Sequence, residues 1–170
     1  MFKNILATIL ISIFSNFFNY HLVSNDIEKI EIIKDNYYID SIKLINYKEK
    51  VKLLKEKEAE FYIINFWASW CAPCIKEMKS LNSLQIRAPF LRVITLSQDN
   101  TISIAKEFFE KNKYDNLEKY FDYNKEILSS LPIRGLPTTF IADKNFKIFA
   151  KVEGIIEWDS DNFLDWLNNY

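Results

Sequence analysis

Apolar and polar positions along this chain change period from segment to segment, and those changes mark its elements. Phe61 to Trp67 is an almost unbroken apolar run, the pattern of a central strand buried on both faces. Ala72 to about Leu84 has helical spacing. Ile75, Met78, Leu81 and Leu84 form its predicted inward face, and Arg87-Ala88-Pro89 ends it. Leu91 to Leu96 predicts a second strand. Asp99 to Lys111 predicts a helix with Ala105, Phe108 and Phe109 inward. Tyr120 to Tyr123 reads as a short strand and Asn124 to Ser130 as a short helix. Thr138 to Ala142 and Lys147 to Val152 read as strands joined by the turn Asp143-Lys144-Asn145. Ser160 is a good N-cap for a last helix, in which Phe163, Trp166, Leu167 and Tyr170 recur at i, i+3, i+4, i+7.

The first third of the chain is less regular. Tyr47 to Glu60 is rich in Lys and Glu, with Tyr47, Val51 and Leu54 on one side, and predicts an amphipathic helix with a solvated charged face. Asn25 to Asn46 mixes apolar and charged residues and predicts a linker with one or two short strands. Strand, helix, strand, helix, then a hairpin and a final helix imply an α/β fold: a mixed central sheet with helices on both faces. Residues 1–24 differ from the rest. Lys3 gives a positive start, Ile5 to Phe18 is mostly apolar, and no Asp or Glu occurs before Asp26. This predicts a signal peptide or a membrane signal-anchor. Leu22-Val23-Ser24 is a poor cleavage site, which favours the anchor, although Thr8, Ser12, Ser15, Asn16 and Asn19 interrupt the apolar run. The expected organisation is therefore the targeting segment over 1–24, a linker and N-terminal extension over 25–46, and a globular domain over 47–170. Export places that domain in an oxidising compartment.

Composition removes several function classes. Hydrophobic residues make up 49% of the chain and charged residues 26%, ordinary values for a globular protein. A net charge of −1 gives no basis for binding nucleic acid. His21 is the only histidine, so no Ser/His/Asp triad fits in the globular part. Gly135 and Gly154 are the only glycines, too few for a phosphate-binding loop.

The chemistry concentrates in one place. Cys71 and Cys74 are the only cysteines, and they follow the central strand directly in Trp70-Cys71-Ala72-Pro73-Cys74. Cys71 falls at the start of the predicted helix, where unpaired N–H groups and the helix dipole favour a thiolate. Cys74 lies one turn deeper, near enough for a disulfide. An exposed, low-pKa thiol beside a sheltered partner is what thiol–disulfide exchange needs. A static disulfide is the main alternative, although so short a loop constrains the unfolded chain weakly. Half of a zinc site is another, but the sequence lacks further cysteines and nearby histidine.

The run Asn65 to Cys74, continued by Glu77 and Met78, resembles the active site of the TlpA-like branch of the thioredoxin family, which includes TlpA, ResA and DsbE. Arg134-Gly135-Leu136-Pro137-Thr138-Thr139-Phe140 resembles that family's cis-proline loop. Glu153-Gly154 followed by Glu157-Trp158-Asp159-Ser160 is similar to the end of TlpA. The resemblance covers about Glu60 to Tyr170 and implies a thioredoxin-like domain over 47–170.

The resemblance assigns roles residue by residue. Cys71 is the nucleophile, Cys74 the resolving thiol, and the two form the Cys71–Cys74 disulfide. Trp70 is an exposed platform; Trp67 belongs to the core. Pro73 limits backbone freedom between the thiols, and Ala72-Pro73 is similar to the pair in reducing members. Leu136, Pro137 and Thr138 form the ledge for an extended client, with a cis bond before Pro137. Asn65 stands where thioredoxin itself has a buried carboxylate that accepts a proton from the resolving thiol; Asn cannot do this. Glu77, one turn after Cys74, is the candidate replacement, against the alternative of a surface glutamate near a helix start. Thr138 departs from the glutamate of many cytochrome c maturation members. Lys79 departs from a helix-kinking proline in many relatives.

The implied function is an extracytoplasmic reductant of client disulfides in cytochrome oxidase or cytochrome c assembly, anchored to the inner membrane on the periplasmic side. Its partners are proteins with CxxC-type disulfides and a membrane electron donor. No metal and no cofactor is expected. The rival readings are a disulfide oxidant, a copper-carrying assembly protein using both cysteines, and a peptide-binding module with an inert disulfide.

Overall fold

Eight strands form one sheet in the order β1-β8-β7-β4-β5-β6-β2-β3. The computed structural model describes residues 26–39, 42–53, 58–122 and 125–170. The strands are β1 (Ile30–Tyr38), β2 (Lys43–Asn46), β3 (Val51–Leu53), β4 (Phe61–Trp67), β5 (Leu91–Ser97), β6 (Glu118–Phe121), β7 (Thr138–Asp143) and β8 (Lys147–Glu153). The helices are α1 (Ala72–Arg87), α2 (Ile102–Asn112), α3 (Glu126–Ser130) and α4 (Asp161–Asn168), preceded by a 3-10 turn at Asp26–Lys29.

β4 is the axis. It runs parallel to β5 and antiparallel to β7, with Asn65 opposite Thr95 on one side and Thr139 on the other. Its alternation divides the core, because successive side chains point to opposite faces. Ile63 and Trp67 face Met78, Leu81 and Leu84 of α1, Ala105 and Phe109 of α2, and Phe163 and Leu167 of α4. Tyr62, Ile64 and Phe66 face the other way, towards Ile39, Leu44 and Ile127 of α3. This is the expected mixed sheet with helices on both faces. Ser160 caps α4 as predicted, its hydroxyl accepting from Phe163 N.

The structure corrects three expectations. Among the described residues the amphipathic helix over Tyr47–Glu60 is absent: Val51–Leu53 is a strand paired with β2, and residues 54–57 lie outside the described set. Asn46 explains the difference. Its side-chain oxygen accepts from Lys48 N and Lys50 N, and Glu49 adopts φ 57°, which closes a turn rather than a helix. The segment expected to carry one or two short strands supplies β1 and β2, both hydrogen-bonded into the main sheet. Ile75 is exposed instead of inward, because the buried stripe of α1 runs through Cys74, Glu77, Met78, Ser80, Leu81 and Leu84. The second helix starts at Ile102 rather than Asp99, whose carboxylate is bonded elsewhere. α1 runs unbroken through Lys79 to Arg87. The targeting segment over 1–24 lies outside the described residues. Among the described residues no helix is long and apolar enough to cross a membrane.

Candidate active site

The site forms where β4 ends and α1 begins, at the carboxyl end of the parallel strands. The connecting loop is fixed by a carboxylate from the neighbouring strand. Asp99, just beyond β5, accepts from Ser69 N at 3.0 Å and from Ser69 Oγ at 2.8 Å. Ser97 Oγ donates to its other oxygen at 2.9 Å. Lys125, ahead of α3, donates to the main-chain oxygens of Gln98 and Asp99. Asp122 accepts from Gln98 Nε2, Ile127 N and Leu128 N, so the loops after β4, β5 and β6 are tied together. Beyond the pinned Ser69, Trp70 is 69% exposed, while Trp67 is buried against Phe108 and Phe109.

Cys71 is the N-cap of α1, and its sulfur accepts from Cys74 N at 3.3 Å. The two sulfurs are bonded at 2.02 Å, so this is the oxidised form. Cys71 retains only 5% exposure and Cys74 none, less access at Cys71 than the sequence suggests. Both cysteines belong to the larger core cluster, against which half-buried Leu136 packs. The placement is nevertheless asymmetric: Cys71 caps the helix and Cys74 sits inside it. Ala72 and Pro73 are exposed beside them.

The ledge is built by the segment between α3 and β7. The Leu136–Pro137 bond is cis. Pro137 O accepts from Gly154 N at 2.9 Å, and Thr138 Oγ1 donates to Gly135 O at 2.7 Å. Gly154 has φ 93°, a conformation that glycine adopts without a side-chain clash.

Glu77 is not a surface residue. It is 2% exposed and occupies a core position on α1. Asn65 Nδ2 donates to its Oε1 at 2.8 Å, and Trp158 Nε1 donates to its Oε2 at 2.8 Å. Asn65 Nδ2 also reaches Thr139 Oγ1 at 2.9 Å, while Asn65 Oδ1 is buried without a protein partner. Burial pushes the Glu77 carboxyl up to about 7, against the two hydrogen bonds, which favour the ionised form. A carboxyl titrating near neutrality, one turn from Cys74, can take or return a proton at physiological pH. Glu77 also lines a cleft of about 440 Å³ between α1, the 3-10 turn and the loop after β8.

The structure thus brings Trp70, Cys71, Cys74 and Glu77 onto one loop and helix start, and builds the Leu136–Thr138 ledge from a second segment. Sequence reasoning missed the carboxylate of Asp99 and the indole of Trp158 as Glu77's partner. An acid directly after an apolar strand at the carboxyl end of the sheet is a signal for the first. The second has no local signal, because Glu77 and Trp158 are 81 residues apart. Among the described residues no group of three or more His, Cys, Asp or Glu could hold a metal ion.

Residues 39–151 match the AhpC/TSA family. The ResA thiol-disulfide oxidoreductase of Bacillus thuringiensis subsp. konkukian is 30% identical over 132 residues, spanning 75% of this chain and 72% of that protein. ResA of Geobacillus kaustophilus is 24% identical over 152 residues, 88% of this chain and 82% of that one. Two crystal structures share the fold. A DsbE-type thiol:disulfide interchange protein from Chlorobium tepidum superposes with a TM-score of 0.71 at 21% identity, covering 81% of this chain and 97% of that one. The exposed lipoprotein thioredoxin of Streptococcus pneumoniae superposes with a TM-score of 0.66 at 21% identity, covering 80% and 100%.

Proposed function

Because this chain belongs to the AhpC/TSA family as a ResA-like thiol–disulfide oxidoreductase, we propose that it reduces disulfides of client proteins outside the cytoplasm. The observation that carries this reading is the division between the two cysteines. Cys71 caps α1, its sulfur accepting from Cys74 N, and Cys74 is enclosed one turn on, three residues before buried Glu77. In the reduced protein the Cys71 thiolate attacks one client sulfur. The client S–S bond breaks, its second sulfur leaves as a thiolate that takes a proton, and a mixed disulfide forms. Glu77 accepts the proton of Cys74. The Cys74 thiolate then attacks the Cys71 sulfur and expels the first client sulfur, which is protonated in turn. Two electrons have passed to the client, and the Cys71–Cys74 disulfide remains.

Trp70 and the backbone at Leu136 hold the client, while Pro137 has no N–H to place against the sulfur. A membrane electron donor re-reduces the disulfide. The resemblance to TlpA, ResA and DsbE supports clients in cytochrome oxidase or cytochrome c assembly. The apolar run Ile5 to Phe18 supports export and anchoring through residues 1–24. Ala72-Pro73 between the cysteines supports the reducing direction by analogy. The test is the reduction potential against glutathione. A value near that of thioredoxin, about −270 mV, is expected; one near that of DsbA, about −120 mV, makes the protein an oxidant.

A further inference from the structure

The surface around the cysteine pair is apolar at its centre, and a weakly paired cation precedes the ledge. Trp70 and Ile75 are exposed on the α1 side, and Leu136 is half-buried on the other. Arg134 stands two residues before Leu136 with its side chain 81% exposed. Its one ion pair among the described residues is with Glu153 Oε2 at 3.8 Å. Glu153 is already engaged: Lys151 Nζ, itself buried, bonds Glu153 Oε1 at 3.0 Å and meets Glu31 at 3.3 Å. Lys76 lines a mixed-charge cleft with Asp26, Glu157 and Asp159. Lys79 lines the same mixed-charge cleft. The first turn of α1 has no acidic residue. A long, exposed ion pair contributes little, so Arg134 can exchange Glu153 for another carboxylate at small cost.

We propose that Arg134 selects clients carrying an acidic side chain close to the disulfide that Cys71 attacks. The proposal rests on the reading of Leu136–Thr138 as the client ledge. A client strand laid along Leu136 continues towards Arg134, two residues earlier in the chain. A carboxylate there meets the guanidinium, while apolar neighbours of the client cysteine meet Trp70 and Ile75. The net charge of −1 means that the whole protein does not attract acidic partners, so this preference is local to the ledge.

Two synthetic peptides test it, each with one CxxC disulfide and identical except for Asp or Lys flanking the cysteines. The second-order rate of their reduction by the reduced protein is followed by tryptophan fluorescence. The wild type is expected to favour the Asp peptide about two- to fivefold at low salt, the span of an exposed ion pair, with the preference fading at 0.5 M salt. Arg134→Glu is expected to reverse the order and speed the Lys peptide, a gain that misfolding cannot produce. Equal rates for both peptides in the wild type, or the same preference in Arg134→Glu, overturn the proposal while leaving the reductant reading intact. Reduction of neither peptide by the wild type removes both.

Discussion

Glu77 on α1 and Trp158 after β8 share a 2.8 Å hydrogen bond, indole Nε1 to carboxyl Oε2, with both side chains withdrawn from solvent. The carboxyl is held on its other side by Asn65, so a group that costs energy to ionise sits between two donors that favour ionisation. Burial wins, and the group titrates near neutrality.

That balance makes stability depend on pH. Glu77 goes from an ordinary 4.5 to about 7 on folding, so the folded state binds more protons between those values. The stabilisation is fully present below about pH 4.5 and is lost as pH rises through about 7. The change is on the order of 3 kcal/mol for one group shifted this far. Urea unfolding of the oxidised protein at a series of pH values measures it. Glu77→Gln is expected to flatten this part of the profile; an unaltered slope contradicts the assignment.

Trp158→Phe removes the indole donor and leaves Glu77 Oε2 unpaired. The ionised carboxyl loses support, so its titration moves further up, and stability above pH 7 falls by about 1–3 kcal/mol. The carbon-13 shift of the Glu77 carboxyl against pH reads this directly. A downward move contradicts it.

Asp99 and Ser69 are expected to act as a unit. Ser69→Ala deletes one bond to Asp99, and Asp99→Ala strands the donors of both Ser69 and Ser97. A double-mutant cycle on unfolding free energy should give a coupling of about 0.5–3 kcal/mol. Strict additivity of the two changes contradicts the pinned loop.

Much of this was legible in the chain because it is local. β4, β5, β7 and β8 announce themselves by apolar runs, and Cys71 and Cys74 by their place between a strand and a helix. What was not legible depends on contacts remote in sequence. Val51–Leu53 is a strand because β2 pairs with it, after Asn46 closes the turn; the Lys- and Glu-rich sequence around it fits a helix as well. Ile75 and Glu77 exchange the places that hydrophobicity assigns them. Glu77 reaches the core because Asn65 and Trp158 supply donors there, and Ile75 stays on the surface.

Export is checked on the full chain. A reporter enzyme active only outside the cytoplasm, fused after Tyr170, should be active, and carbonate-washed membranes should retain the protein. A cytoplasmic, inactive reporter contradicts the extracytoplasmic reading, and complete release by carbonate contradicts the uncleaved anchor.

Trapping is the most direct measurement of the central claim, that Cys71 attacks client disulfides and Cys74 resolves the product. Cys74→Ser and Cys71→Ser variants, expressed in the source cells and compared on non-reducing gels, separate the two roles. Cys74→Ser is expected to accumulate mixed disulfides that vanish with a dithiol reductant, and Cys71→Ser is expected to accumulate few. Equal trapping by both variants, or trapping only through Cys74, contradicts the account.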